Sequence, residues 1–323
     1  MRKAWLVFGL VMLSPFSARA WNSTGHEVVA GIAWDNMTPA ARQQAITILN
    51  ASQAGDCLHE LDAGDQRAFF IRAATWPDVV RPERHKDAQG NPITDTRPCT
   101  QFNEPGEHFD DHFWSGNSGA KGANAPKDRP DVAMRPQNAV ERLMSFRPLV
   151  ACTAAPCSAT VEQAHELAWI LHLVGDIHQP LHNAARVTTA PKEEQGDQGG
   201  NLFLLHAGPN MPPNLHSFWD NIVDNTIPRT QGETDAAYVD RVIKRIEGDH
   251  PSGTLAARIE TAQFDAWSEE GFKTAERVAY PVSLKRDGTP SKAYRATAFK
   301  VADEAIALGG YRLADLLNKT LAP

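Results

Sequence analysis

A mainly helical fold with one short β-hairpin is what the sequence predicts, on three observations. Apolar residues recur at helical spacing in several long stretches. Residue types that start helices stand just ahead of some of them. The intervening segments are rich in Pro, Gly, Asn and Asp and contain only one strand-like run.

Taken in order, the chain opens with Arg2 and Lys3, an apolar run from Trp5 to Met12, and Ala18-Arg19-Ala20. Small residues at the two positions a signal peptidase reads predict a secretory signal peptide over residues 1–20, too short to span a bilayer. Trp21 then becomes the first residue of the mature chain. Thr38-Pro39 caps and starts a helix to about Asn50. Residues 83–106 and 115–135 read as loops. Thr160 with Gln163 forms a capping-box pattern ahead of an apolar helix from Val161 to about Asp176. Asn201–Ala207 reads as a short strand, half of a hairpin turning at 208–213. Glu233–Ile246, Thr261–Val278 and Ser291–Leu317 carry helical periodicity. No repeat and no dividing linker is visible, so residues 21–323 are expected to form one domain.

The full chain has a formal net charge of −7, and the leader removes three bases and no acids, leaving −10. Such a chain does not hold polyanions through a diffuse basic surface. If the substrate is a phosphate ester, bound metal is the natural source of local positive charge. Four cysteines in an exported chain suggest two disulfides. Cys152 and Cys157 close a short loop around Pro156, which leaves Cys57 with Cys99. The rival is a zinc knuckle, but no CxxC spacing supports it.

Histidines and carboxylates gather in ordered clusters: Trp21 to His26; Trp76-Pro-Asp78-Val-Val-Arg81; Glu107 to His112; His172-Leu-Val-Gly-Asp176-Ile-His178-Gln-Pro-Leu-His182; and His216-Ser-Phe-Trp-Asp220. His172 and Asp176, like His216 and Asp220, are four apart, which puts each pair on one helix face, close enough to share a metal. Pro180 breaks the helix, so His182 can turn back toward a second ion. A single such pair is more often an imidazole donating to a carboxylate in a packed core. Two pairs and three further clusters reverse that preference. Imidazole and carboxylate without free thiolate suit zinc. An α-amino group, with a pKa of about 7.7–8.0, deprotonates for a metal more easily than lysine does. The amine and carbonyl of Trp21 can therefore chelate, with His26 in reach. His59, His165, His206 and His250 read as surface or packing residues. His178 points off the metal face and reads as orienting a supporting group.

Together these motifs resemble the secreted trinuclear-zinc nucleases of moulds, plants and bacteria, which prefer single strands, act as 3′-nucleotidases, and share a fold with the bacterial zinc phospholipases C. The resemblance covers Trp21 to about Asp220. It implies a single mainly helical domain of that type and three zinc ions. One would be held by Asp78, His108, His172 and Asp176. A second would be held by Trp21, His26 and Asp176, and a third by His182, His216 and Asp220. Arg81 matches the family arginine that steadies the phosphoryl group, acting with Asp78 at the catalytic position. Phe109 and Asp111 match the aromatic and the acid that hold a base, and Asn201 is carried as a further substrate contact. The segment between Asp78 and His108 is longer than the family pattern, which leaves His85 and His112 as rivals to His108. The order His-Phe-x-Asp favours His108.

The resemblance thus implies a secreted or periplasmic monomer, with no membrane or protein partner. It would hydrolyse phosphodiester bonds of single-stranded RNA and DNA and leave 5′-phosphates. The alternatives are a zinc phospholipase C, against which Arg81 and Phe109-x-Asp111 argue, and a non-catalytic zinc-binding surface protein.

Overall fold

The computed structural model describes residues 21–83, 85–86, 91–115, 120–121, 138–150, 159–190, 192–194, 196–206, 212–259 and 263–321. The leader and the Cys152–Cys157 pairing lie outside them. Helix α1 (Ser23–Asn36) is capped by Asn22, whose side chain accepts from the Gly25 amide, and nearly all of it from Thr24 to Trp34 is buried. A helix apolar all round belongs at the centre of a domain. The long last helix runs alongside it over Lys292–Leu321. Their close approach depends on Gly310, where a Cβ would stand 2.5 Å from that of Ile32.

Helix α2 (Pro39–Leu49) starts at the expected Thr38 cap. Two shorter helices follow, α3 (Gln66–Ala73) and the single turn α4 (Trp76–Val79). Helix α5 (Ala139–Val150) precedes α6 (Val161–Ile177), which begins at the expected Thr160–Gln163 capping box and is wholly buried from Leu167 onward. Next come α7 (Leu215–Asp220), α8 (Ile222–Thr226), α9 (Asp235–Asp249), α10 (Ser252–Ile259) and α11 (Phe264–Thr274), which continues as one π-helical turn to Ala279. No helix among the described residues is long and apolar enough to cross a membrane.

Three readings change. Residues 201–206 do not form a strand. Gln198, Gly199 and Gly200 adopt φ of 56°, 61° and 85°, a left-handed run that coils the chain. Leu204 makes only an isolated bridge to Asn214. The sheet lies elsewhere: β3 (His112–Ser115) pairs antiparallel with Ala120–Lys121 (β4) and parallel with Ala184–Val187 (β5). The segment 83–106 is not all loop. It holds the antiparallel pair β1 (His85–Lys86) and β2 (Pro92–Ile93) and a 3₁₀ turn at Pro98–Phe102. That turn carries Cys99, bonded to Cys57 as expected, with Cα atoms 5.7 Å apart.

Candidate metal centre

Asp176, in the last turn of α6, is the hub. Its side chain is fully buried. His172, one turn earlier, places Nε2 3.2 Å from Oδ2. His108, from the loop before β3, places Nδ1 3.0 Å from the same oxygen. His26, on α1, reaches Oδ1 at 3.3 Å, and His182 lies 3.8 Å from it. His26 stacks on His172, ring centroids 3.8 Å apart. A crossing this close is possible only because residue 175 is glycine. A Cβ there would meet His26 Nδ1 at 2.7 Å.

Asp78 arrives on α4. That turn is held from behind by Trp76, whose indole N–H donates to the Asp56 carbonyl at 2.7 Å and whose ring stacks on His165. Asp56 neighbours the Cys57–Cys99 bridge, so the disulfide loop supports the turn bearing Asp78. Arg81 Nε pairs with Asp78 Oδ1 at 2.9 Å.

The 3₁₀ turn Pro180–Asn183 brings His182 back, as the proline break requires. His216 Nε2 and Asp220 Oδ2 lie 3.6 Å apart on α7. His182 joins them, the three offering donor atoms within 4.8 Å of one another. So do His108, His172 and Asp176, and so do His26, Asp78 and His172.

Metal fit can be judged from the second nitrogens. His172, His182 and His216 each turn Nδ1 to a backbone carbonyl: Ala74 at 2.8 Å, His108 at 2.6 Å and Gly199 at 2.8 Å. Donating there leaves Nε2 as a bare lone pair aimed inward, the tautomer zinc takes. His108 Nδ1 and His172 Nε2 face one another at 3.0 Å beside Asp176. Both His26 ring nitrogens, His108 Nε2, His182 Nε2 and Asp176 Oδ1 are buried without a hydrogen-bond partner. Buried polar atoms are seldom left so unless something else binds them. Burial pushes His26 down to about 4 and His108 to about 3, so both imidazoles are neutral. Asp78 falls to about 2, because Arg81 and the histidines outweigh its burial. Asp220 moves well upward, driven by burial and by Asp78 and Asp176 against the opposing bond from Gln179. A nearby cation would reverse that rise. The donor set, its burial and its tautomers fit divalent zinc.

The remaining predicted residues sit around this cluster. Trp21 is wholly buried, and the next residue is anchored, with Asn22 N donating to Asp220 O at 3.0 Å and Asn22 Nδ2 to Asp224 at 2.6 Å. Phe109 and Asp111 are half-buried beside His108. Asn201 donates to the Gln198 carbonyl at 2.8 Å, while its Oδ1 is buried without a hydrogen-bond partner. Of the rivals to His108, His112 bonds Ser268 instead. His178 does not support the cluster. Its Nδ1 donates to Val174 O and its Nε2 accepts from Arg312.

Sequence reasoning passed over Gln179, although it lies inside the His172–His182 motif. Its Nε2 donates to Asp220 Oδ1 at 2.7 Å and its Oε1 accepts from Leu181 N at 2.6 Å. It therefore fixes both Asp220 and the turn carrying His182. Gln179→Leu is expected to weaken zinc binding by about 10- to 100-fold, read by titration with a competing chelator. Unchanged affinity would contradict this support role.

A family model described as S1/P1 Nuclease matches residues 21–322. Among curated relatives, "Endonuclease 2" of Arabidopsis thaliana is 27% identical over 93% of this chain and 90% of its own length. "Nuclease S1" of Aspergillus oryzae is 23% identical over 92% and 91%, and "Nuclease P1" of Penicillium citrinum 22% over 93% and 97%. With the match running through every cluster just described, the chain belongs to the S1/P1 nuclease family of phosphodiester hydrolases.

Proposed function

We propose that this protein is a zinc-dependent endonuclease acting on single-stranded RNA and DNA, leaving 5′-phosphates and also removing 3′-phosphates from nucleotides. The carrying observation is the buried ring of histidines around Asp176, in which both His26 ring nitrogens, Nε2 of His108 and His182, and Asp176 Oδ1 have no hydrogen-bond partner. Three zinc ions would be held by Asp78, His108, His172 and Asp176; by Trp21, His26 and Asp176; and by His182, His216 and Asp220. Zinc so held supplies Lewis acidity and makes water ionisable near neutral pH. Arg81, steered by its Nε contact to Asp78, would bind phosphoryl oxygens. Phe109 would stack an unpaired base, worth about 1–3 kcal/mol, and Asp111 would accept from its edge. A duplex offers no free base face. Asn201 would contact the substrate nearby.

We further propose that residues 1–20 direct export to the periplasm or medium and are cut off after Ala20, leaving one monomeric domain over 21–323.

The test is release of acid-soluble nucleotides from single-stranded and duplex substrates by the processed protein, before and after chelation. Cleavage of single strands, lost with the metal, is the expected result. Raising salt should weaken substrate binding with a shallow slope, about one or two released ions, because the chain is acidic. Phosphocholine release from lecithin without nucleotide release would overturn the reading.

A further inference from the structure

Asp110 stands between Phe109 and Asp111, and its side chain is held on several sides. Ser268, fully buried on α11, donates its hydroxyl to Asp110 Oδ2 at 2.6 Å. His112 Nε2 lies 2.8 Å from that hydroxyl oxygen and 3.3 Å from Asp110 Oδ2. The serine has one proton and gives it to the carboxylate, so toward His112 it can only accept, and His112 carries a proton on Nε2. Asn138, which caps α5, donates to Asp110 Oδ1 at 2.8 Å. The Asp110 backbone N–H donates to the His182 carbonyl at 2.8 Å, tying the same segment to the metal-binding turn.

Serine, histidine and aspartate together suggest a nucleophilic triad, but the geometry is wrong for one. Ser268 is sealed from solvent and donates to the acid rather than to the imidazole. The arrangement binds segments together. We propose that Asp110, His112 and Ser268 form a clasp, tightest when His112 carries its second proton and is charged, that sets the position of the Phe109–Asp111 segment and hence the affinity for substrate. The proposal rests on the reading of Phe109 and Asp111 as the base contacts.

The groups facing His112 support a charged clasp. Asp110 and Asp111 come from its own segment. From α11 come Glu269, whose carboxylate is 3.8 Å from Nδ1, the Ser268 hydroxyl, and Phe272, on which the imidazole stacks at 5.2 Å. From β5 the neighbour is Ala184. Burial pulls the imidazole down, but the hydrogen bond and charge of Asp110, with Glu269 and Asp111, outweigh it and leave His112 above its ordinary 6.5. With a raised folded pKa, the charge pairing is complete at low pH and is lost as pH climbs through that value. The clasp should therefore loosen on the alkaline side.

His112 acts through Asp110, so it is a positioning residue, and the test separates KM from kcat. Both are measured for a single-stranded oligonucleotide from about pH 5 to 9, on wild type and His112→Gln. KM of the wild type should rise several-fold across the His112 titration. In His112→Gln this inflection should vanish, with zinc content and kcat retained. The same inflection in the variant overturns the proposal. A second arm needs no activity: NMR titration of the His112 imidazole should show a lower pKa in Asp110→Asn, and an unchanged value also overturns the clasp. A wild type that neither binds nor cleaves the oligonucleotide contradicts the nuclease reading instead, a result distinct from either clasp failure.

Discussion

Replacing Asp176 by asparagine is expected to strip zinc from the protein and reduce nuclease activity about 10³-fold. Removing a residue that merely supports a metal ligand costs about 10- to 100-fold. Asp176 is within 3.0–3.8 Å of four histidines drawn from α1, the loop before β3, α6 and the turn after it. Its loss acts on two proposed ion sites at once. Asparagine keeps the shape and removes the charge, so the packing of α6 should survive. Zinc content, rate and the melting temperature of the metal-free protein together read the effect. Melting should change little. A variant that keeps its zinc and activity within tenfold of wild type would show that the carboxylate is only a hydrogen-bond acceptor for packed histidines.

Much of this centre was legible because its geometry is local. A spacing of four on a helix brings His172 to Asp176 and His216 to Asp220 whatever the rest of the chain does. Pro180 ends α6, and His182 turns back within one 3₁₀ turn. Thr38 and Thr160 cap as their neighbours require. What was not legible depends on elements far apart in sequence. Gly175 gave no sign that it makes room for a ring from α1, and Gln179 none that it would meet Asp220. The parallel pairing of His112 with Ala184 joins segments whose sequences do not announce each other. Over residues 201–206 the expected strand does not form, for a local reason. Two glycines precede it, and their left-handed turn presents the Gly199 carbonyl to His216. His178 lies off the metal face, as its spacing from Asp176 implies, but the group its ring meets, Arg312, comes from the last helix, far away in sequence.

The most exacting claim concerns one peptide bond. Trp21 is wholly buried, and Gly25 accommodates it: a Cβ on that glycine would be 2.5 Å from the Trp21 Cβ. Asn22 fastens the start of α1 to Asp220 and Asp224. The proposed ligand is the free amine of Trp21, whose pKa of about 7.7–8.0 suits a metal. One residue left in front converts that amine to an amide, which has no such lone pair. The decisive measurement is zinc per chain together with nuclease rate, on protein beginning at Trp21 and on protein retaining Ala20. The chain beginning at Trp21 should carry three zinc ions and cleave single strands. The extended chain should carry fewer and lose activity by about 100-fold or more. Equal zinc content and equal rates in the two proteins would contradict the account.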